Sequence, residues 1–262
     1  MCIRDSDLAA LPANLLLLQA WGFTDQLTFN YVSWSMSAEW FCYLTLPVVV
    51  LAFRRFGIRG LVVLAAASIG LLELGTSLGM FPFRSWLEAN TWGAYRAFVD
   101  FVLGAIVAVA VRDSRSTLKS HWPGWLAFAA AVGAMATSSN SYLVVGLLAL
   151  AMYFAALGER NNPDGSRWLA PLRPVGKVSL GIYLLHPVME SVFLSVVWRG
   201  LLEGSGVVDF YVFWLVPMAA TVALALASDR YFEDPAAAFI NRRFGKARRT
   251  GRTAGGEIVA AE

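Results

Sequence analysis

Apolar runs, most close to the ~20 residues needed to cross a ~30 Å hydrocarbon core, alternate with short polar stretches along the chain. The uninterrupted runs are Val32–Phe53, Leu61–Met80, Ala94–Val111, Trp125–Thr137, Tyr142–Leu157, Val178–Trp198 and Phe210–Ala227. Helices are the expected conformation, because lipid offers no partner for backbone N–H and C=O groups and a helix satisfies them within the segment. The fourth and fifth runs are short and joined only by Ser138, Ser139, Asn140 and Ser141, which predicts a tight helical hairpin. Ahead of the first run, Leu8–Trp21 is apolar but carries Pro12 and Asn14 and is too short to cross alone, so it reads as the second half of a helix. The pattern predicts an all-α, polytopic transmembrane helix bundle of about seven complete spans and a partial first one.

Three segments are expected. Residues 1–7 read as a non-native start, since Met1–Ser6 resembles an adapter-derived opening of assembled environmental sequence, and the native chain is expected to continue upstream. Residues 8–244 form the transmembrane domain, incomplete at its amino end, and 245–262 form a basic, disordered tail. Arg4, followed by Asp5 and Asp7, is not the basic opening of a cleavable leader.

Composition agrees: 58% of the residues are apolar and 15% are charged, which excludes an ordinary soluble domain. The net charge of +3 is distributed asymmetrically. Arg54, Arg55 and Arg59 follow the first run, Arg112, Arg115 and Lys119 the third, and Arg160, Arg167, Arg173 and Lys177 the fifth. Two of the intervening loops hold only Arg84 and Arg199, whereas the tail gathers Arg230, Arg242, Arg243, Lys246, Arg248, Arg249 and Arg252. Basic loops are retained on the cytoplasmic side, so the carboxyl end is expected inside and Trp21–Tyr31 outside. This asymmetry accounts for the basic balance without nucleic acid, and a basic tail beside a membrane is expected to meet anionic lipid. The two cysteines, Cys2 and Cys42, imply no disulfide or metal framework.

Ionisable groups inside a span are costly and by default face a cavity or a partner. The chain has six: Glu39, Glu73, Arg96, Asp100, His186 and Glu190, all from the midplane outward in the expected orientation. Ser35, Glu39 and Tyr43 share one helical face, and Ser179, Tyr183, His186 and Glu190 form a second polar stripe. The two stripes are expected to line one outward-open pocket, in which a histidine held in one tautomer serves as general acid or base. Arg96 and Asp100, four residues apart, can also simply neutralise each other, and Glu73, beside Gly70, Gly75 and Gly79, can serve only to bond across a helix contact. His121, next to Trp122 and Pro123, reads as an interfacial residue.

Against this background the stretch NYVSWSMSAEWFCYLTLP at Asn30–Pro47 resembles the W-S-L-S-x-E-W-x-F-Y-L-x-x-P signature of the acyltransferase 3 family of membrane O-acyltransferases. RAFVDFVLGAIVA at Arg96–Ala108 is similar to that family's R-x-x-x-F-x-x-G helix, and VSLGIYLLHPV at Val178–Val188 to its late S-x-x-x-Y-L-x-H-x-P element. YFEDPAAAF at Tyr231–Phe239 resembles the Y-x-x-E-x-P that closes the domain. The resemblance runs from Leu8 to Phe244 and implies transfer of an acyl group, commonly acetyl from an acyl-CoA co-substrate, to a hydroxyl of a carbohydrate or lipid-linked glycan of the cell envelope in the plasma (inner) membrane, with no bound cofactor. Carried over position by position, Trp34, Ser35, Ser37 and Glu39 match the signature, Arg96 and Gly104 the middle helix, and Tyr183, His186 and Pro187 the late element. Glu39 and His186 are then the expected catalytic groups, and Trp34, Ser35, Ser37, Arg96, Asp100, Tyr183 and Glu190 the expected substrate contacts. The family's amino-terminal helices, with an Arg and its catalytic His, have no counterpart here, which keeps an inactive fragment among the alternatives. A transporter using the same intramembrane Glu and His groups is the competing class, although no inverted repeat is visible.

Overall fold

The structure, a computed structural model, describes residues 8–82, 85–87, 91–203 and 209–244. The expected start at 1–7, Arg84 and the expected basic tail at 245–262 lie outside the described residues. Every regular element among the described residues is helical, and the chain divides into two compact units, Met1–Pro171 and Leu172–Glu262.

The first unit opens with a 3-10 turn at Leu8–Ala10 and a helix α1, Leu11–Leu15. The expected half-span over Leu8–Trp21 is therefore corrected, because the helix stops after Leu15. Leu17 takes a positive φ of 56°, and its carbonyl accepts from the Ser37 hydroxyl at 2.7 Å instead of from a helical N–H. Helix α2, Trp34–Ser77, runs over 44 residues but breaks at Gly57, with φ 61° and ψ −149°, a conformation essentially confined to glycine. The chain reverses there. Val49, Leu61 and Ala65 share one buried cluster with Val102, so the limbs 34–56 and 58–77 lie side by side. Gly60 permits that approach, since a Cβ there would stand 2.4 Å from the Ala52 carbonyl oxygen. The basic stretch expected as a loop is thus a one-residue break, with Arg54 and Arg55 on one limb and Arg59 on the other.

Helix α3, Gly93–Asp113, packs against α2. Helices α4, Trp122–Ala136, and α5, Ser141–Asn161, form the expected tight hairpin. Ser138 turns the chain at φ 51°, and the Asn140 side chain caps α5 by accepting from the Tyr142 N–H at 2.8 Å. The carbonyl ends of α3 and the following loop are bound by α5: the Arg160 guanidinium donates to the Val111, Ser114 and Ser116 carbonyls, and Asn161 to Ser116 and Leu118.

The second unit holds α6, Arg173–Lys177, and α7, Ser179–Glu190, which continues through a π-helical stretch, Ser191–Leu202. Next come α8, Phe210–Phe213, and α9, Leu215–Ser228, which packs against α7. The helix expected to end at Ala227 runs on through a π-helical turn, Asp229–Glu233, into α10, Asp234–Phe244. The acidic residues there do not stop it, because the Lys177 ammonium pairs with Asp229 at 2.6 Å and Asp234 at 3.1 Å.

Among the described residues four helices are individually long and apolar enough to cross a membrane: Gly93–Asp113, Ser141–Asn161, Ser179–Leu202 and Phe210–Arg243. Of the seven runs expected to span, the other three are the two limbs of α2 and the short α4 of 15 residues, about 22 Å at ~1.5 Å per residue. Large apolar side chains stand on the outer surface, Leu51 at 67% and Leu71 at 69% exposure among them, which suits lipid rather than water. The chain is an all-helical membrane protein.

Candidate active site

In the first unit the strap 17–22 is tied to the beginnings of α2 and α3. The Ser37 hydroxyl donates to the Leu17 carbonyl and accepts from the Ala20 N–H at 3.1 Å, while the Trp21 indole donates to the Ser37 carbonyl at 3.0 Å. From the other side, Ala94 N–H donates to the Ala20 carbonyl and Gly22 N–H to the Thr91 carbonyl. Ser37 has no exposed surface, so it acts as a buried clasp between the strap and α2. Trp34 lies over Gly93, where a Cβ would come within 2.7 Å of its ring.

Beside this clasp, α2 and α3 enclose a cleft of about 340 Å³. Ser35, Glu39 and Tyr43, the stripe expected from spacing, all line it, together with Trp34. The Tyr43 hydroxyl donates to Glu39 Oε1, and the Ser35 hydroxyl to the Val32 carbonyl at 3.0 Å. Glu39 therefore presents an exposed carboxylate with one oxygen already engaged by a phenol. Ala97 and Phe101 of α3 and the buried Cys42 complete the wall. Cys42, Ala97 and Phe101 lie inside the two segments that resemble the family but are not among the positions carried over from it.

Arg96 and Asp100 neutralise each other at 3.7 Å, partly exposed at 33% and 48%, and Arg96 also donates to the Leu87 carbonyl. Neither lines the cleft. Glu73 serves as a cross-helix acceptor, receiving the Trp86 indole N–H at 2.8 Å and the Tyr142 hydroxyl. His121 stands 3.4 Å from Glu159 and fills the space over Gly158 and Gly165.

In the second unit α7 and α9 border a cavity of about 690 Å³. His186 and Glu190 of the second expected stripe line it, with Ile182 from α7 and apolar residues of α9 from Pro217 to Leu226. Tyr183 contributes differently. Its carbonyl lies 2.6 Å from His186 Nδ1 and its ring packs against the imidazole at 5.7 Å between centroids. A carbonyl can only accept, so Nδ1 carries the proton, and in the neutral ring Nε2 keeps its lone pair. The single tautomer expected of this histidine is thus set by the backbone one turn earlier. Proline at 187 leaves the Tyr183 carbonyl without its usual i+4 N–H donor, which is why the imidazole can use it.

The second unit thus holds an imidazole of defined tautomer beside an apolar cavity, and the first a phenol-bound carboxylate beside a small cleft. Compared with known proteins, the sequence matches the family model described as an acyltransferase domain, that of the acyltransferase 3 family, over residues 5–230. No curated protein and no solved structure matches it.

Proposed function

The chain belongs to the acyltransferase 3 family, and from that premise we propose that it is a membrane O-acyltransferase moving an acyl group, acetyl in the simplest case, from an acyl-CoA thioester to a hydroxyl of a cell-envelope carbohydrate or lipid-linked glycan. The observation that supports this reading most is the His186 tautomer: the backbone bond at Nδ1 leaves Nε2 as an acceptor on a side chain lining a cavity. In the reaction Nε2 takes the proton of the acceptor hydroxyl, the oxygen attacks the thioester carbonyl carbon, and the C–S bond breaks. The proton on His186 then goes to the departing thiolate. Glu39, polarised by Tyr43, is the second base or base-orienting group, and Trp34 and Ser35 are substrate contacts beside it. Arg96 and Asp100 in the first unit, and Tyr183 and Glu190 in the second, are the further proposed substrate contacts, while Ser37 holds the strap 17–22 to α2.

The proposed setting is the plasma (inner) membrane, with the two limbs of α2 and the short α4 inserted beside the four long helices, seven spans in all, and the carboxyl end in the cytoplasm. Reporter fusions after Phe244 check the orientation; a fusion active only outside the cytoplasm overturns it.

The catalytic assignment is tested in cells by measuring acyl esters on envelope glycans for wild type, Glu39→Gln and His186→Ala at matched membrane abundance. Loss of general-base function is expected to lower transfer by about 10²–10⁴-fold in His186→Ala. Wild type that acylates nothing, while a solute flux depends on the same residues, would install the transporter reading instead.

A further inference from the structure

The cavity beside His186 is far larger than an acetyl group requires. At about 690 Å³ it falls in the ~300–1,000 Å³ range of sites that enclose drug-sized molecules. Its lining has two ionisable groups, His186 and Glu190; the rest is apolar apart from Thr221 and the Trp214 indole. Thr221 does not soften that character, because its hydroxyl donates to the Pro217 carbonyl of its own helix at 2.7 Å. A sugar ring, bristling with hydroxyls, would set those it turned to this wall against apolar side chains that offer no partner, at a cost of about 1–3 kcal/mol for each one buried. Hydrocarbon fits.

We propose that this cavity receives the hydrocarbon chain of the transferred acyl group, and that the protein therefore uses acyl thioesters longer than acetyl. This rests on the O-acyltransferase reading with His186 as base. The reason for choosing the acyl chain over other hydrocarbon is its attachment. In acyl transfer the base takes the proton of the acceptor hydroxyl as that oxygen meets the thioester carbonyl carbon, and the acyl chain is bonded directly to that carbon, so a chamber beginning at His186 lies within its reach. The balance of the reaction is unchanged: the new ester C–O bond replaces the thioester C–S bond, the hydroxyl proton passes through Nε2 to the thiol, and the chain stays in the cavity until the ester leaves.

Ala219 and Ala223 lie one turn apart on α9, and both line the chamber with small, exposed side chains. Bulk added there enters open space rather than the packed interface. The test supplies membranes containing the full chain with an equimolar mixture of acetyl-, butanoyl-, octanoyl- and dodecanoyl-CoA, and quantifies the acids released from the membrane glycans by alkali. Wild type is expected to transfer octanoyl alongside acetyl. Ala223→Phe is expected to lower the octanoyl-to-acetyl ratio by on the order of tenfold or more, the scale at which a filled hydrophobic pocket discriminates by chain length. Ala219→Leu, a milder filling, should lower it in the same direction, and Met218→Ala should raise the share of dodecanoyl. Transfer of acetyl alone by wild type, or one ratio shared by wild type and all three variants, overturns the chamber and leaves the O-acyltransferase reading standing. Transfer of none of the four thioesters removes that reading and this inference together.

Discussion

The two polar stripes look alike as sequence, each a serine, a tyrosine and an acid at helical spacing, yet they use their hydrogen-bonding capacity in opposite ways. On α2 the hydroxyls are spent on neighbouring groups: Ser35 donates to the Val32 carbonyl, Ser37 clasps Leu17 and Ala20, and Tyr43 donates to Glu39, whose carboxylate stays exposed in the cleft. On α7 the backbone takes one nitrogen of His186 and leaves the other as an acceptor beside an apolar cavity. In a membrane the difference matters, because a polar group satisfied by its neighbours serves as framework, whereas a lone pair left on a side chain that lines a cavity is available to a ligand. Motif membership alone does not separate the two, since Ser37 and His186 both sit in signature segments.

If the beginning of α2 is framework, damage to the same unit far from the clasp should reproduce its phenotype and exceed it. Gly60→Ala places a Cβ 2.4 Å from the Ala52 backbone carbonyl, where no flexible side chain can yield. Overpacking of this kind costs about 1–3 kcal/mol and sometimes more, so folded protein recovered in detergent should fall sharply while acyl transfer per folded molecule stays near wild type. Ser37→Ala should act in the same direction but less, losing about 1–3 kcal/mol by stranding the Leu17 carbonyl and the Ala20 N–H. Thermal denaturation followed by fluorescence-detected size exclusion reads both. A Ser37→Ala protein of full stability but no transfer would move Ser37 from the framework to the chemistry and break the comparison.

The helical class and the α4–α5 hairpin were legible because they depend on local composition: an apolar run has one stable conformation in lipid, and Ser138–Ser141 is the only polar punctuation between two of them. The faces shared by Ser35, Glu39 and Tyr43 followed from helical geometry in the same way. What could not be read depends on partners distant in sequence. Leu8–Trp21 has the apolarity of a helix, but the residue that ends it, Ser37, lies twenty positions beyond Leu17 in the chain. The reversal at Gly57 is a single dihedral pair inside a polar stretch that also suits an ordinary loop. Asp229 and Asp234 look like a helix end until Lys177, fifty-two residues before Asp229, neutralises them. The role of Glu73 was legible only as one of two options, and its two donors, Trp86 and Tyr142, decide it.

The Lys177 pair is also the contact with the smallest expected effect, and its pH dependence is fixed in sign. Hydrogen bonds first to Asp229 and then to Asp234 hold the ammonium above the ordinary lysine range. A folded value above the unfolded one means the stabilisation is complete below the ordinary lysine pKa of ~10.4 and is lost as pH rises through the raised value. Because Lys177 is half-exposed, solvent screens the pair and the change should amount to a few-fold at most. Hydrogen exchange over residues 234–244 in Lys177→Met, compared with wild type at each pH, should be faster at pH 7, with the difference closing in strong alkali as wild type loses its proton. Equal exchange at pH 7 would mean that α10 is held by the continuity of its helix through Asp229–Glu233 and not by the charge, in which case the acidic turn tolerates its own repulsion and the lysine is incidental.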